Sequence, residues 1–341
     1  MKKPLICLVT PALAAANNGN WQTAKRWARM LSSHYRVRLL HEWAAADSPP
    51  DEVLLLALHA RRSAASVRAW RAAHPERPLV LALTGTDLYR DIHHDATARQ
   101  SLELADALIV LQDQAPRELP THLQAKCHVV FQSSTRRAAL AKTTQHLNAV
   151  MVGHLRDEKS PETFMQAAQL RRDEVRLRFT HIGAPLDEAL AAQARATAQA
   201  NPRYRWLGGL AHEATRRHIQ RAHVLVHASR MEGGAHVIME AALCGTPVLA
   251  SFIPGNVGML GADYTGYFPW GDAPALAALL QRAATEPEFL AALQVQCAAR
   301  SRWFEPAAEQ AALRRVIDRA LQQGLQQSTQ QAAGQHHQPG R

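Results

Sequence analysis

Short apolar runs, each followed by a stretch with helical spacing, repeat along this chain and constrain its fold more than any other feature. Runs such as Leu79–Leu83 contain no polar residue, and they alternate with helical segments such as Trp21–Leu31, in which Trp27 and Leu31 lie four residues apart. Strands that are apolar on both faces are typical of a parallel sheet covered by helices on each side. The pattern therefore predicts an α/β fold with doubly wound sheets.

This alternation is interrupted once, and the interruption divides the chain. The polar stretch from Gln132 to Leu147 separates two series of strands, and 341 residues suit two domains of roughly 100–200 residues each. We predict a first Rossmann-like domain over residues 1–145 and a second over 146–300. A terminal helix over 301–322 and a disordered, Gln-rich tail over 323–341 complete the prediction. Two such domains are expected to face each other across a cleft, with ligands at the carboxyl ends of the strands.

Charge and composition limit the classes of partner. The chain has a net charge of +10, of which +7 falls in residues 1–145, and this excess suits nucleic acid or a small anion. The basic residues are spread over Ala-rich helices without interleaved aromatic residues, so we expect no nucleic-acid binding. No window approaches the roughly 18 apolar residues of a membrane span, and without an export signal we expect a cytoplasmic protein. The four cysteines are widely scattered, so we expect free thiols and no metal site.

A glycine pair between two glutamates follows the predicted strand Val224–His227. Gly233 and Gly234 let the backbone approach a ligand closely, and the next helix presents free N–H groups to a phosphate or a sugar hydroxyl. Glu232 precedes this helix and Glu240 comes eight residues later. The two carboxylates can therefore reach opposite ends of an elongated ligand. A capped helix with solvated glutamates is the alternative at this point.

A second polar loop follows the first strand of the second domain. Gly153 comes directly after Ala149–Val152, and Arg156 and Lys159 follow it closely. Together with the amides of the next helix, these two cations can hold a diphosphate. An isolated basic pair in a loop is usually solvated, but its combination with the Glu-Gly-Gly sequence favours a nucleotide-sugar site.

These motifs resemble the donor domain of GT-B glycosyltransferases, especially the large retaining family four. The resemblance implies a catalytic group of Glu232, Arg156 and Lys159, with Glu232 near the transferred sugar and the two cations on the donor diphosphate. It also implies that Glu240 holds the ribose. The donor-binding positions that we predict with it are Gly153, Leu207, Gly233, Gly234, Glu240 and Gly19.

Several separate segments extend the pattern over the chain to about residue 320. They are Asn18–Asn20, Leu58–Ser63, Leu83–Tyr89, Asn201–Gly208, Ser229–Gly234 and Gly266–Pro269. Together they are similar to the selenosugar synthases of selenoneine biosynthesis. This family joins selenophosphate to a UDP-sugar, typically UDP-N-acetylglucosamine or UDP-glucose, and makes a carbon–selenium bond. The resemblance implies an enzyme with these two substrates and no cofactor, although Ala235-His236 stands where we would expect Ala-Asn.

The first domain carries the candidate acceptor site. Arg61 and Arg62 follow the strand Val53–Leu58, so we expect them at the carboxyl edge of the sheet on the phosphate oxygens of selenophosphate, with a solvated helix start as the alternative. The acceptor-binding positions that we predict are Asn18, Asn20, Arg61, Arg62, Thr84, Gly85, Thr86 and Asp87. Capping of the next helix is the alternative for Asp87. Selenium in selenophosphate is already an anionic nucleophile, so we expect no dedicated general base, with His59 or Asp87 in that role as the alternative.

Three alternatives share parts of this pattern. An ordinary GT-B glycosyltransferase with a sugar, lipid or metabolite acceptor has the same donor motifs. A nonhydrolysing UDP-sugar epimerase has the same architecture but converts its donor without an acceptor. A module that senses nucleotide sugars would bind them without turnover.

Overall fold

The computed structural model describes residues 3–12 and 19–335, with only the backbone described for 327–335. It contains two compact units. The first comprises Met1–Gln132 and Ala307–Arg341, and the second comprises Ser133–Pro306.

In its described residues, the first unit contains a six-stranded parallel sheet. Its strands are β1 (Leu5–Val9), β2 (Arg36–Leu40), β3 (Glu52–Leu58), β4 (Leu79–Ala82), β5 (Ala107–Val110) and β6 (Cys127–Val129). They lie in the order β2-β1-β3-β4-β5-β6, with every neighbouring pair parallel. Strands β1, β4 and β5 are buried along their whole length, which explains their continuously apolar sequences.

Helices cover both faces of this sheet. They are α1 (Gly19–Leu31), α2 (Ala64–Ala73), α3 (Ile92–His94), α4 (Ala96–Leu104) and α5 (Thr121–Gln124), with 3-10 turns at Ala45–Asp47 and Ala115–Glu118 and a π-helical turn at Asp87–Asp91. Trp27 of α1 belongs to the buried cluster on one face, and Trp70 of α2 belongs to the cluster on the other.

The second unit repeats this plan in the part of the chain that the structure describes. Its strands are β7 (Leu147–Val152), β8 (Leu177–Ile182), β9 (Tyr204–Trp206), β10 (Val224–His227), β11 (Val248–Ser251) and β12 (Tyr267–Phe268). They form a six-stranded parallel sheet in the order β12-β11-β10-β7-β8-β9. Its helices are α6 (Pro161–Leu170), α7 (Glu188–Ala200), α8 (His212–Arg221), α9 (His236–Ala242), α10 (Pro254–Leu260), α11 (Ala273–Thr285) and α12 (Pro287–Ser301), with 3-10 turns at Asp157–Lys159 and Arg302–Phe304. The strand order reverses at β7, which places a topological switch point at its carboxyl end.

The units divide after Gln132 and not after residue 145, because the polar segment from Ser133 packs on α8. Arg216 donates a hydrogen bond to the Thr135 carbonyl oxygen at 2.6 Å, and Gln220 donates one to the Ala138 carbonyl oxygen at 2.7 Å. Polar residues are typical of linkers, but the segment from Ser133 is hydrogen-bonded to residues about 80 positions further along the chain and therefore belongs to the second unit.

The last helix, α13 (Pro306–Gln335), continues through the residues for which the sequence predicts disorder from position 323. Alanine and glutamine favour helix, and Gly324 also packs on the first unit, since a Cβ atom there would lie 3.0 Å from Pro78 Cδ. Its first half is held by the first unit, because Leu313 and Ile317 are buried in the same cluster as Trp27. Glu309 also accepts hydrogen bonds from Trp27 Nε1 at 2.6 Å and from Arg26 Nε at 2.9 Å. In the described part of the chain, no helix is both long enough and apolar enough to cross a membrane.

Candidate functional site

The two polar loops predicted in the second unit lie side by side. Strands β7 and β10 are parallel neighbours, with Ala149 paired with Val224, so the residues after each strand emerge at the same edge of the sheet. The Arg230 N–H donates to the Glu158 carbonyl oxygen at 3.0 Å. The loop after β10 is therefore attached to the loop after β7.

Lys159 and Glu232 form an ion pair in which Lys159 Nζ donates to Glu232 Oε1. Their side chains are only 17% and 12% exposed. Ser229 Oγ donates to the same carboxylate oxygen at 2.8 Å. Burial alone would raise the pKa of Glu232, but Lys159 and His227 more than offset burial and bring that pKa well below its usual range. Glu232 is therefore an ionised carboxylate in a fixed position.

His227 is a further member of this group that the sequence analysis did not select. It is the last residue of β10, its side chain is 2% exposed, and its Nε2 lies 3.4 Å from Glu232 Oε1. Burial lowers the pKa of His227 despite the neighbouring carboxylate. A histidine at the carboxyl end of an otherwise apolar strand is the signal that could have identified it.

Glycines set the spacing of the loops around this pair. A Cβ atom built on Gly183, directly after β8, would lie 1.8 Å from the Gly153 carbonyl oxygen. A side chain at position 183 would therefore push apart the ends of β7 and β8. Gly233 and Gly234 lead into α9, whose N-cap residue, Ala235, makes no side-chain hydrogen bond to the helix.

Arg156 extends the positive charge beside Gly153. Its side chain is 47% exposed, and Glu158 is 3.9 Å from its Nε. At the end of β9, the Leu207 N–H donates to the His181 carbonyl oxygen at 2.9 Å. Leu207 thus lies at the same edge of the sheet, two strands away from Lys159.

Glu240 lies one turn into α9, and its side chain is 5% exposed. Two basic residues of α8 face it: His212 Nε2 is 2.6 Å from Glu240 Oε1, and Arg216 Nε is 3.9 Å from the same oxygen. The hydrogen bond to Glu240 raises the pKa of His212. The two glutamates of the motif therefore have separate partners, Lys159 for Glu232 and His212 for Glu240.

In the first unit, the predicted Arg61 and a second arginine that was not predicted, Arg90, share one carboxylate, Asp91. Arg61 Nε donates to Asp91 Oδ2 at 2.9 Å, and Arg90 Nε donates to Asp91 Oδ1 at 3.1 Å. Burial alone would raise the pKa of Asp91, but the hydrogen bonds from Arg90 and Arg61 lower it. Both arginine side chains remain 41–48% exposed, and Arg62 beside them is exposed. Their positive charge faces solvent at the carboxyl ends of β3 and β4.

Asp87 joins the ends of these two strands. Its carboxylate accepts hydrogen bonds from the Thr84 N–H at 2.7 Å, from Thr84 Oγ1 at 2.8 Å and from the Ala60 N–H at 2.9 Å. It lies inside the π-helical turn Asp87–Asp91 and not at the N-cap, so the helix-capping alternative is wrong.

His59 adopts a backbone conformation that is unusual for a residue with a side chain. Its φ is +74°, it is buried, and burial lowers its pKa. Its Nε2 lies 3.3 Å from Thr86 Oγ1, and its Nδ1 accepts the Arg62 N–H at 3.3 Å. A left-handed conformation costs about 1–2 kcal/mol outside glycine. Gly85, in the loop between Thr84 and Thr86, belongs to the same strand end.

The segment Asn18-Gly19-Asn20, predicted to contact the substrates, lies at the edge of the described residues. Asn18 falls outside them. Gly19 and Asn20 form the first turn of α1, where Thr23 Oγ1 donates to the Gly19 carbonyl oxygen at 2.8 Å.

Comparison with known families assigns the second unit. Residues 133–302 match the family described as glycosyl transferases group 1. The second unit is a group 1 glycosyl transferase domain. The match begins at Ser133, the residue at which the second unit begins, and it contains Lys159, Glu232 and Glu240.

Solved structures show the same fold over almost the whole length of this chain. Sucrose-phosphate synthase from Thermosynechococcus elongatus is 17% identical, with a TM-score of 0.69 over 97% of this chain and 100% of that one. HepE from Anabaena, in complex with UDP and glucose, is 16% identical, with a TM-score of 0.69 over 92% and 99%. The lipopolysaccharide outer core galactosyltransferase WaaB is 13% identical, with a TM-score of 0.71 over 92% and 99%. A comparison with curated protein sequences gives no match.

Proposed function

We propose that this glycosyltransferase transfers a sugar from a UDP-sugar to selenophosphate, forming a carbon–selenium bond and a selenosugar for selenoneine biosynthesis. The Lys159–Glu232 ion pair at the switch point of the second sheet is the observation that carries the donor assignment. HepE, which has the same fold, has been solved with UDP and glucose and with UDP-glucose, which supports a UDP-sugar donor.

The donor contacts follow from the charges around the switch point. Arg156 and Lys159 bind the diphosphate, because both lie directly after β7 and carry the positive charge of this edge. When Lys159 pairs with the diphosphate instead of Glu232, the Glu232 carboxylate becomes available to the sugar. Glu240 accepts the ribose hydroxyls in place of His212, and Leu207 lies against the base. Gly233 and Gly234 bring main-chain N–H groups close to the sugar or the diphosphate.

The acceptor assignment rests on the arginines of the first unit. Selenophosphate is a small anion, and Arg61, Arg62 and Arg90 expose three guanidinium groups at one end of its sheet. Asp91 holds Arg61 and Arg90 in place through one oxygen each, and leaves their remaining N–H groups to the phosphate oxygens. Thr84, Gly85, Thr86 and Asp87 shape the strand end beside them, with Asn18 and Asn20 as the remaining proposed acceptor contacts.

The proposed reaction needs no separate nucleophile from the protein. A selenium lone pair attacks the anomeric carbon, and the bond from that carbon to the diphosphate oxygen breaks with its electron pair on UDP. Arg156 and Lys159 stabilise the charge that develops on this leaving group. Water then cleaves the phosphorus–selenium bond, which releases phosphate and the selenosugar.

Incubation of the protein with UDP-N-acetylglucosamine or UDP-glucose, with and without selenophosphate, tests this proposal. UDP release is followed together with the mass of the sugar product. The proposal expects selenophosphate-dependent UDP release and a product that carries the selenium isotope pattern. If selenophosphate leaves the rate of UDP release unchanged, the proposal that selenophosphate is the acceptor is wrong. If UDP release depends on an added sugar instead, the protein is an ordinary glycosyltransferase.

A pair of glutamate variants tests the site itself. Replacing Glu232 by Gln keeps its size but removes the charge, and we expect turnover to fall by about 100-fold or more. The matched control is Glu213→Gln, an exposed glutamate of α8 paired with Arg137 at 2.7 Å. Equal turnover in Glu232→Gln and Glu213→Gln would show that the charge of Glu232 has no role in catalysis.

A further inference from the structure

A second cluster of positive charge lies on a different face of the second unit and has no part in the proposed reaction. It lines a cavity of about 480 Å³ on the sheet face beside β7, β8 and β9. Four arginines and two histidines line it: Arg178, Arg203, Arg205, Arg221, His146 and His218. No aspartate or glutamate is among its described lining residues. We call it the basic cavity.

Strand register explains how these residues come together. Asn148 of β7 is paired with Arg178 of β8, and Thr180 of β8 is paired with both Val150 of β7 and Arg205 of β9. Paired residues in adjacent strands point to the same side of a sheet. Arg178, two residues before Thr180 on β8, and Arg205, beside Thr180 on β9, therefore lie on the same face of the sheet.

The rest of the wall comes from the sheet edge and from α8. Arg221 and His218 come from the last turn of α8, and Arg203 precedes β9. Arg203 Nε is buried and has no hydrogen-bond partner among the described residues. Within the same residues, none of the four arginines forms an ion pair, whereas arginines on neighbouring helices do, such as Arg195 with Glu188.

Main-chain oxygens satisfy part of these guanidinium groups, since Arg178 Nη1 donates to the Leu177 carbonyl oxygen at 2.9 Å and Arg203 Nη1 to the Arg172 carbonyl oxygen at 2.6 Å. No carboxylate of the described lining offsets their charge. Guanidinium groups gathered in a concavity repel one another, and the repulsion opposes folding unless a negative charge offsets it. We propose that the basic cavity is a binding site for a small molecule carrying two or more phosphate groups. Its volume lies within the usual range of small-molecule sites, about 300–1,000 Å³. Its lining also includes the apolar Val150, Pro202 and Ala222, which can contact the organic part of such a ligand.

A small molecule fits the cavity better than a nucleic acid does. Single strands bind in long basic grooves with exposed aromatic rings on which bases stack. Apart from its two histidines, the aromatic residue of this lining is Phe179, and it is fully buried.

The basic cavity is also separate from the proposed donor site. Arg178 is the second residue of β8, whereas Gly183 follows the last, so they are roughly 16 Å apart along the strand at about 3.3 Å per residue. A ligand in the cavity thus lies toward the amino ends of the strands, away from the Lys159–Glu232 pair.

Calorimetric titration of the full-length protein with tripolyphosphate at low ionic strength tests this inference. The test variants are Arg178→Gln combined with Arg205→Gln, and Arg221→Glu alone. The matched control combines Arg195→Gln with Arg282→Gln, two exposed arginines, of which Arg195 pairs with Glu188 of α7 and Arg282 pairs with Glu286, the residue that follows α11. All are compared in a background that combines Arg61→Gln with Arg156→Gln, which weakens both the proposed acceptor site and the proposed diphosphate site, so the result does not depend on the proposed function.

We expect one tripolyphosphate per chain, and binding at least about tenfold weaker in both test variants but unchanged in the control. Circular dichroism is expected to show that every variant is folded, since the substituted side chains are half-buried or exposed. Equal weakening in the control would show a general charge effect and overturn the inference. The inference is also overturned if tripolyphosphate does not bind and a short RNA binds instead in a way that depends on Arg178 and Arg205.

Discussion

The backbone of Gly255 lies so close to that of Glu232 that a Cβ atom at position 255 would be 2.1 Å from the Glu232 carbonyl oxygen. Gly255 is the second residue of α10, in the segment that follows β11, the neighbour of β10. The position of the proposed catalytic glutamate therefore depends on a glycine 23 residues further along the chain.

Gly255→Ala should lower turnover by displacing Glu232. We expect about a tenfold loss or more, together with about 1–3 kcal/mol of destabilisation from overpacking. UDP release and urea unfolding measure the two effects. Gly245→Ala is the control: its Cβ meets nothing within 4 Å, but its φ of +75° strains any side chain by about 1–2 kcal/mol. A similar loss of turnover in Gly245→Ala would show that lost stability, and not the position of Glu232, is the cause.

Lys159→Met should destabilise the second unit, because it leaves the buried Glu232 carboxylate without its cation. We expect a decrease of about 1–3 kcal/mol in the free energy of unfolding at neutral pH, the cost of a buried acceptor without its donor, and a smaller decrease for Lys159→Arg. Urea unfolding measures both.

The Lys159–Glu232 pair should also affect how the free energy of unfolding decreases at acid pH. The folded-state pKa of Glu232 is lowered, so its contribution is fully present above the unfolded-state value of about 4.3 and is lost as pH falls below it. Urea unfolding between neutral pH and about pH 2, a range that extends well below the unfolded-state pKa, should therefore show a shallower acid decline in Lys159→Met. An unchanged decline would mean that Lys159 does not stabilise the ionised Glu232.

UDP-sugar binding should strengthen as His212 loses its proton. The pKa of His212 is raised, so the imidazolium persists above the ordinary value of 6.5 and holds Glu240 away from the ribose. As pH rises through the raised pKa, Glu240 is released and the Kd for UDP-glucose should fall. UDP-glucose is the suitable probe, because both of its phosphates are esterified and do not titrate in this range. His212→Ala should bind more tightly at low pH and lose this dependence, and an equal slope in His212→Ala would show that another group titrates.

Arg61→Gln should raise the KM for selenophosphate while leaving the KM for the UDP-sugar unchanged. Losing one charge-assisted hydrogen bond corresponds to about a tenfold effect or more. Steady-state kinetics with each substrate varied in turn measures both constants. Arg68→Gln is the matched control, since Arg68 is an exposed arginine of α2, the helix that follows the Arg61 loop. If both KM values rise equally in Arg61→Gln, its proposed contact with the acceptor is wrong.

The sequence predicted most of the strands, because a strand buried on both faces is recognisable from its own residues. It was weaker at the ends of elements: β7 begins at Leu147 and not at Ala149, and α1 begins at Gly19 and not at Trp21. The Asp95 side chain caps α4 by accepting the Thr97 and Ala98 N–H groups, a local signal that precedes the apolar spacing. The two-residue strand β12 is too short to give any periodic signal.

The sequence by itself determined the alternation of strands and helices and the identity of the polar residues after each strand. Both follow from local chemistry, since apolar runs must be buried and parallel strands present their carboxyl ends at one edge. Only the tertiary structure decided which of these residues meet. Lys159 contacts Glu232, 73 residues away, because β10 lies beside β7. Arg61 is held by Asp91, and the unit boundary moves to Ser133, through hydrogen bonds between distant segments. Such contacts depend on the order of the strands in the sheet and on how closely distant main-chain segments pack. Neither can be read from a single stretch of sequence.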